Sequence, residues 1–532
     1  MGHSPQPLLF TRLLMYHQWV PRGARFWLIV LFAMLYQLTG GVYLAAISQM
    51  NGELAFINED VTLASYCSLI GLNIIFPVLF RWKFYFFTRQ MFFVSATGSL
   101  ICALIAMYVT TPWLFWIVCF LAGYFKMMGM FCCISNVQLN FTPTRDFRVF
   151  LPVIYILVCS AIQISGVMTS LLAYFYNWRM IYVVVVGMML FIDGIAYFLM
   201  KPDHRPGPFI PLKGIDWLGH LLWSVTCCVG AWIFTFGEHY DWWDSIEIWR
   251  GTWIFLALLV VTLWESHIKQ EGAFIPIKAF SYGRTWVLMG LLLGMGLMQT
   301  SVHVLQPVYV NAVAHYDYLT SVRFNYPELA GVIMGAILAY YALRRLQWSA
   351  RVYFFFCFLL VTLYLSASYF LIHPDTEAWL FDIPLFAFGV AEVMMETGVT
   401  YWLSQAIPFP HFFINITIVG FVRCGLGTSA VGALTERLFA WSTAKNAALN
   451  AAALDGFNPI GNGFDWAQYL GSQTIITSLR ECYGYLIIFG IIMMTLVLCS
   501  NFKPTVTRIV PQMGSVARWL RHPATSPDPS LH

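Results

Sequence analysis

Fourteen apolar runs, each long enough to cross a bilayer, constrain this chain more than any other feature. They lie near 26–48, 62–80, 90–110, 112–138, 149–175, 179–200, 216–236, 249–267, 285–312, 327–343, 352–372, 379–406, 411–435 and 482–500. A hydrocarbon core about 30 Å thick is crossed by about 20 residues of helix. Lipid offers the backbone no hydrogen bonds, so spans of this length must be helices. Only 10% of the 532 residues are charged and 59% are hydrophobic, whereas a soluble domain carries about 25% charged residues. The expected fold class is an all-α polytopic membrane protein. No stretch resembles a phosphate loop, a zinc helix, a hydrolase elbow or a nucleic-acid module, so neither an enzyme nor a cofactor is expected. The twelve cysteines lie almost entirely within apolar runs and read as reduced, buried thiols.

The charges between runs set an orientation. Loops after even-numbered runs are basic: Arg81, Lys83 and Arg89; Arg145 and Arg148; Lys201, Arg205 and Lys213; Lys269, Lys278 and Arg284; Arg344, Arg345 and Arg351. Loops after odd-numbered runs are acidic or neutral, as at Glu53, Glu59 and Asp60 and at Glu238, Asp241, Asp244 and Glu247. The positive-inside rule then places both termini in the cytoplasm. Arg12, Arg22 and Arg25 precede a long apolar run with no small-residue cleavage site, so no cleavable signal is expected. The proline-rich stretch Lys201 to Gly214 reads as an extended linker. Residues 440–481 read as a long outer loop holding a short amphipathic helix, and the basic tail after Asn501 as disordered.

Four titratable residues interrupt these runs. Lys126 falls in the fourth, His303 in the ninth, and Glu392 and Glu396 in the twelfth. A charge at mid-bilayer costs at least about 2.5–3.5 kcal/mol, so such residues face a cavity or one another. Glu392 and Glu396 are one helical turn apart on one face. Two carboxylates in low dielectric do not both ionise cheaply, which suits the pair to carry a proton; a fixed contact with Arg423 or Lys126 is the structural alternative. His303 shares a face with Gln299 and Gln306, ahead of Pro307. An imidazole titrates near neutrality, so His303 is a second proton-coupling candidate. Lys126, with Asn136 roughly along its stripe, either recognises an anionic substrate or neutralises the glutamates.

Other segments carry a family resemblance. "GIDWLG" (Gly214 to Gly219), "GEHYDWWDSIEI" (Gly237 to Ile248), "LWESHIKQEGAFIPIKAF" (Leu263 to Phe280) and "YNWRMIYVVVVG" (Tyr176 to Gly187) resemble fourteen-helix drug:proton antiporters of the major facilitator superfamily, the EmrB/QacA-like branch. The resemblance implies two six-helix bundles, at residues 1–200 and 285–500, with a linker and two inserted helices between them at 201–284. In that architecture the first, fourth, ninth and twelfth runs line a central cavity. Gln37, Lys126, Asn136, Gln163, Gln299 and Gln306 are then substrate-cavity candidates, and Arg423, Asp193 and Arg179 structural or switch residues. The implied activity is proton-driven export of drug-like or amphipathic compounds across a bacterial inner membrane, with a periplasmic adaptor and an outer-membrane channel as partners. Transport of an anionic metabolite or lipid is the alternative. The sequence departs from the family pattern where Gln37 and Thr39 occupy the region of the usual first-helix acid. It departs again where Cys119 replaces an arginine, and where "SGVMTS" (Ser165 to Ser170) lacks the antiporter proline.

Overall fold

The apolar runs fall on helix throughout most of their described length, as backbone groups deprived of water require. The computed structural model describes residues 15–40, 46–141, 146–207, 209–407, 409–454 and 466–500. In chain order the helices of the first part are α1 (Arg22–Leu38), α2 (Ile47–Leu54), α3 (Asn58–Ile74), α4 (Phe76–Tyr85), α5 (Thr88–Tyr108), α6 (Pro112–Phe141), α7 (Phe147–Phe175) and α8 (Trp178–Leu199). Then come α9 (Trp217–Phe236) and α10 (Ile246–Lys269). The last part holds α11 (Gly283–Thr300), α12 (Gln306–Ala312), α13 (Tyr318–Val322), α14 (Asn325–Tyr340), α15 (Ala350–Leu371), α16 (Asp382–Ala406), α17 (Phe409–Arg423), α18 (Leu426–Leu454) and α19 (Trp466–Cys499).

Among the described residues, twelve helical stretches are long and apolar enough to cross a membrane. A thirteenth comprises α3 and α4, bent by 55° at their junction, where Pro77 cannot donate to the ladder. The remaining apolar helix, Gly23–Leu38, is shorter than these.

Three apolar clusters organise the packing. One gathers α1 and α3–α8 around Phe32, Tyr36, Phe92 and Trp178. Another gathers α11, α12 and α14–α19 around Tyr353, Phe354, Phe358 and Phe388, and draws in α7. The third seats α9 and α10 against α3 and α17, where Trp223 stacks on Phe421 at 6.2 Å. Asp216 caps α9: it accepts from Gly219 N–H at 3.1 Å, from Phe274 N–H at 2.9 Å and from Lys269 Nζ at 2.5 Å. The recognisable "GIDWLG" segment thus fastens the start of α9 to the strap that follows α10.

The first and last parts of the chain repeat one close contact. A Cβ on Gly71 of α3 would sit 2.1 Å from the Phe120 carbonyl oxygen, and one on Gly123 of α6 would sit 1.9 Å from that of Ser68. In the other part, a Cβ on Gly331 of α14 would sit 2.2 Å from Phe386 O, and one on Gly389 of α16 would sit 2.4 Å from Glu328 O. Small residues let transmembrane backbones approach this closely. The match gives a register: Ser68 corresponds to Glu328, and Lys126 corresponds to Glu392. Each of the last two stands three residues beyond its contact glycine.

Residues 440–481 differ from the expected outer loop. α18 continues to Leu454 and α19 begins at Trp466, so most of the stretch is two long helices side by side. Ser442 Oγ donates to Glu481 at 2.5 Å, Asn446 Nδ2 to Ser478 at 3.0 Å and Asn450 Nδ2 to Thr474 at 2.8 Å, and Lys445 pairs with Glu481. This polar ladder holds the helices together where hydropathy has already faded. The stretch 455–465 and the tail beyond residue 500 lie outside the described residues.

Two outcomes follow from this packing. Gly389→Val forces a Cβ onto a backbone carbonyl, an overpacking that costs about 1–3 kcal/mol; it should lower the detergent melting temperature by several degrees. Gly290→Ala, whose added Cβ meets nothing within 4 Å, should leave it unchanged. Burial pushes the Asp216 carboxyl up, but Lys269 and the two backbone N–H groups outweigh it and hold the group below the usual range. Its stabilising contribution is therefore present above the unfolded value of about 3.9 and is lost as pH falls through the lower folded value. Asp216→Asn should be less stable at neutral pH and lose less on acidification, as read by melting scans across that range.

Candidate ion and substrate site

Helix α16 presents Glu392, Glu396 and Thr400 one turn apart on one stripe. Glu396 Oε1 accepts from Arg423 Nε at 2.8 Å. Arg423 Nη1 also donates to the Tyr155 hydroxyl at 3.3 Å, and its guanidinium lies 5.4 Å from the centre of that ring. The Tyr155 oxygen is 2.6 Å from Thr400 Oγ1. Because arginine only donates, the phenol accepts from Arg423 and its own proton is free to go to Thr400. The polar chain thus runs α17 to α7 to α16.

A third carboxylate joins this pair. Glu328, near the start of α14 and 6% exposed, accepts from Gln163 Nε2 of α7 at 2.5 Å. Glu392 lies within electrostatic reach of both Glu328 and Glu396, and its Oε2 is buried without a hydrogen-bond partner among the described residues. Glu396 and Glu392 thus lie within reach of one guanidinium, and Glu328 within reach of Glu392. Full ionisation would leave uncompensated negative charge in low dielectric, so the cluster is suited to take up protons. Glu328 is absent from the candidates that hydropathy suggests, because it is the second residue of its apolar run, a position that reads as interfacial. Its spacing from Gly331 and Gly335 (i, i+3, i+7) is the available signal, since that stripe packs on α16.

One face of α7 reaches across to the other half. Arg148 Nε donates to the Tyr401 hydroxyl at 3.1 Å, Tyr155 and Gln163 make the contacts above, and buried Cys159 lies between them, within reach of Glu392 and Glu396. The residues that fix the carboxylates thus come from both sides of the boundary between halves.

Lys126 approaches from α6. It is 8% exposed, and it makes no hydrogen bond or ion pair with any described residue. Its Nζ lies 3.8 Å from where a Cβ on Gly40 would stand. Cys424 is within electrostatic reach of Lys126 as well as of Arg423 and Glu396. Lys126 therefore borders the same region as the carboxylates without pairing to them.

The other candidates are placed as follows. His303 is exposed and sits in a π-helical turn, Ser301–Leu305, between α11 and α12. Pro307 offers no N–H, so the His303 carbonyl lacks its usual acceptor role toward the next turn, and the wider turn absorbs the mismatch. Gln37, Gln299 and Gln306 are half-buried, and no contact among the described residues joins them or His303 to the carboxylates. Asn136 donates to the Cys132 carbonyl of its own helix at 2.8 Å. Asp193 accepts from Thr97 at 3.1 Å between α8 and α5. Arg179 pairs with Glu53 of α2 and donates to Met107 O at 3.3 Å.

Comparison with known proteins gives the fold a family. Residues 29–432 match the model of the Major Facilitator Superfamily. No curated protein matches the chain. Among solved structures, a tetrameric PepTSo2 is similar with a TM-score of 0.57 and 10% identity, over 90% of this chain and 98% of that one. A bacterial homologue of the human drug peptide transporters PepT1 and PepT2 gives 0.56 and 12%, over 89% and 96%. A mutant of the nucleoside transporter NupG gives 0.52 and 11%, over 88% and 98%. At these identities the likeness concerns the fold.

The α7 contacts generate a testable outcome. Tyr155→Phe removes the link from Arg423 to Thr400, and Gln163→Leu removes the one to Glu328. Interhelical hydrogen bonds in membranes are worth about 0.6–2 kcal/mol, so either variant should fold. Each should expose Cys159 more often, read as faster alkylation of its peptide by a permeant maleimide. Unchanged alkylation in both would mean that α7 is held by apolar packing alone.

Proposed function

Since the chain belongs to the major facilitator superfamily, and is a membrane transporter and not an enzyme, we propose that it is a proton-coupled secondary transporter whose ion site is the Glu328, Glu392, Glu396 and Arg423 cluster. The observation that supports this most is the Glu396–Arg423 pair, with Glu392 unpartnered beside it, at the boundary between two halves. Alternating access requires that boundary to open and close. Protonating Glu396 removes the counter-charge of Arg423, so proton occupancy changes which cross-boundary contacts are favourable. Proton-dependent oligopeptide transporters occur among the structurally similar proteins, which agrees with a proton-driven cycle.

The direction we propose is export of drug-like or amphipathic compounds across a bacterial inner membrane, with both termini cytoplasmic. It rests on the resemblance of the α9–α10 segments to drug:proton antiporters and on the basic loops. An adaptor and an outer-membrane channel would then meet the outer ends of α18 and α19 and the acidic loop at Glu238. A single proton moving down 100 mV is worth about 2.3 kcal/mol, enough for roughly a 50-fold substrate gradient.

Reconstituted liposomes with an imposed pH gradient and a fluorescent amphipathic dye test the coupling. Glu392→Gln or Glu396→Gln should abolish gradient-driven movement while leaving gradient-free exchange measurable. A double variant that still moves dye against its gradient would remove the cluster from the coupling step. The orientation is checked separately: a cysteine at Ser245 should react with an impermeant reagent in intact spheroplasts, and one at Gly207 only after lysis.

A further inference from the structure

Helices α17 and α18 form one apolar stretch with a break inside it. Cys424 and Gly425 belong to neither helix, and Thr428 Oγ1 spans the gap by donating to the Arg423 carbonyl at 2.8 Å. The chain turns so tightly that a Cβ on Gly427 would fall on Val422 O. Across the boundary between halves stands a second broken span, where α3 meets α4 at 55°. The two breaks touch. A Cβ on Gly425 would lie 2.9 Å from Ile70 Cγ1, and one on Gly420 would fall against Asn73 Oδ1; Ile70 and Asn73 stand at the end of α3.

Each arm of one broken span grips an arm of the other. On one side of this level α4 holds α17, with the rings of Phe80 and Phe413 5.3 Å apart. On the other side α3 holds α18, with the Tyr66 hydroxyl 3.2 Å from where a Cβ on Gly432 would stand. A fifth helix, α9, runs past both breaks uninterrupted. Its Trp223 stacks on Phe421 of α17 at 6.2 Å. About two turns further along α9, a Cβ on Gly230 would lie 2.6 Å from Leu426 Cδ1, at the start of α18. The same helix shares an apolar cluster with Leu63, Cys67, Ile70 and Ile74 of α3. Residues at the ends of elements, glycines above all, absorb the backbone rotation of a hinge. Arg423 is the last residue of α17, so its ion pair with Glu396 ties that arm to α16.

We propose that the two breaks are one paired hinge, on which α4 and α17 tilt together while α9 splints α3 to α18 and limits the swing. Rocking of two rigid halves would part α4, of the first half, from α17, of the last; the hinge keeps them in contact. This inference rests on the transporter reading above and names its moving part.

The test uses the full chain in phosphatidylcholine nanodiscs, with neither gradient nor substrate. Spin labels attached to p-acetylphenylalanine avoid the native cysteines, and double electron–electron resonance reads the distances. They are placed in pairs at Tyr85 of α4, His411 of α17 and Leu346, just after the π turn that follows α14. Glu396→Gln releases Arg423, and Trp223→Ala removes the grip of α9 on α17. Each should shift the His411–Leu346 and Tyr85–Leu346 distances by about 5 Å, the displacement of a helical arm about 18 Å long that tilts by about 15°. The Tyr85–His411 distance should stay as it is. A changed Tyr85–His411 distance with His411–Leu346 fixed is rigid rocking and would overturn the proposal, as would distances that neither variant moves. Should one variant not fold, the other decides. Should neither fold, the unmodified protein decides, since its His411–Leu346 distribution should be broader than that of Tyr85–His411. Failure of the proton reading appears elsewhere, as dye accumulation by the Glu→Gln variants; Trp223→Ala, which touches no carboxylate, then still tests the hinge.

Discussion

A charge inside a bilayer must be neutralised, solvated or shared, and the centre of this protein is arranged around that requirement. Arg423 is a permanent cation in a mid-span position, and Glu396 at 2.8 Å is its counter-ion. Neither could be removed alone without leaving the other uncompensated, a cost of about 3–5 kcal/mol for a buried pair. The pair is also not self-contained. Tyr155 satisfies a further guanidinium donor from α7, and Gln163 of the same helix satisfies Glu328. Polar groups that must be paired thereby draw helices of one half onto those of the other. In the proton-coupled cycle proposed above, a proton arriving at this cluster would act on those contacts.

The glycine contacts decide where such groups can stand. α3 lies on α6, and α14 on α16, with backbone carbonyls where a Cβ would otherwise be. That closeness leaves no room for a register slip, so residues three positions along from each contact project at equivalent depths in the two halves. A lysine stands at one of these positions and a glutamate at the other. The halves share a backbone arrangement and differ in the sign of the charge they present.

Much of this was legible in the sequence, and the failures have physical causes. Hydropathy placed the apolar runs because lipid leaves the backbone no other conformation, and the one-turn spacing put Glu392 and Glu396 on a shared face. Arg423 is a candidate partner for that pair because charges in lipid must be matched. Glu328 escaped because hydropathy grades a residue by its position in a run, whereas its depth is fixed by how α14 slides along α16. The continuation of α18 and α19 escaped for a related reason: Ser442, Asn446 and Glu481 read as loop residues until each is seen facing a partner on the adjacent helix. His303, by contrast, stands out by residue type, yet no contact among the described residues ties it to the carboxylates.

Two of the interruptions of regular helix make the same physical point. An unpaired backbone group in lipid costs several kcal/mol, so a break persists only where something else satisfies or uses the freed groups. Between α11 and α12 the break is a π turn just ahead of Pro307, and it carries the exposed imidazole of His303. Between α17 and α18 it is a gap at Cys424 and Gly425, bridged by the Thr428 hydroxyl, which donates to the Arg423 carbonyl at 2.8 Å.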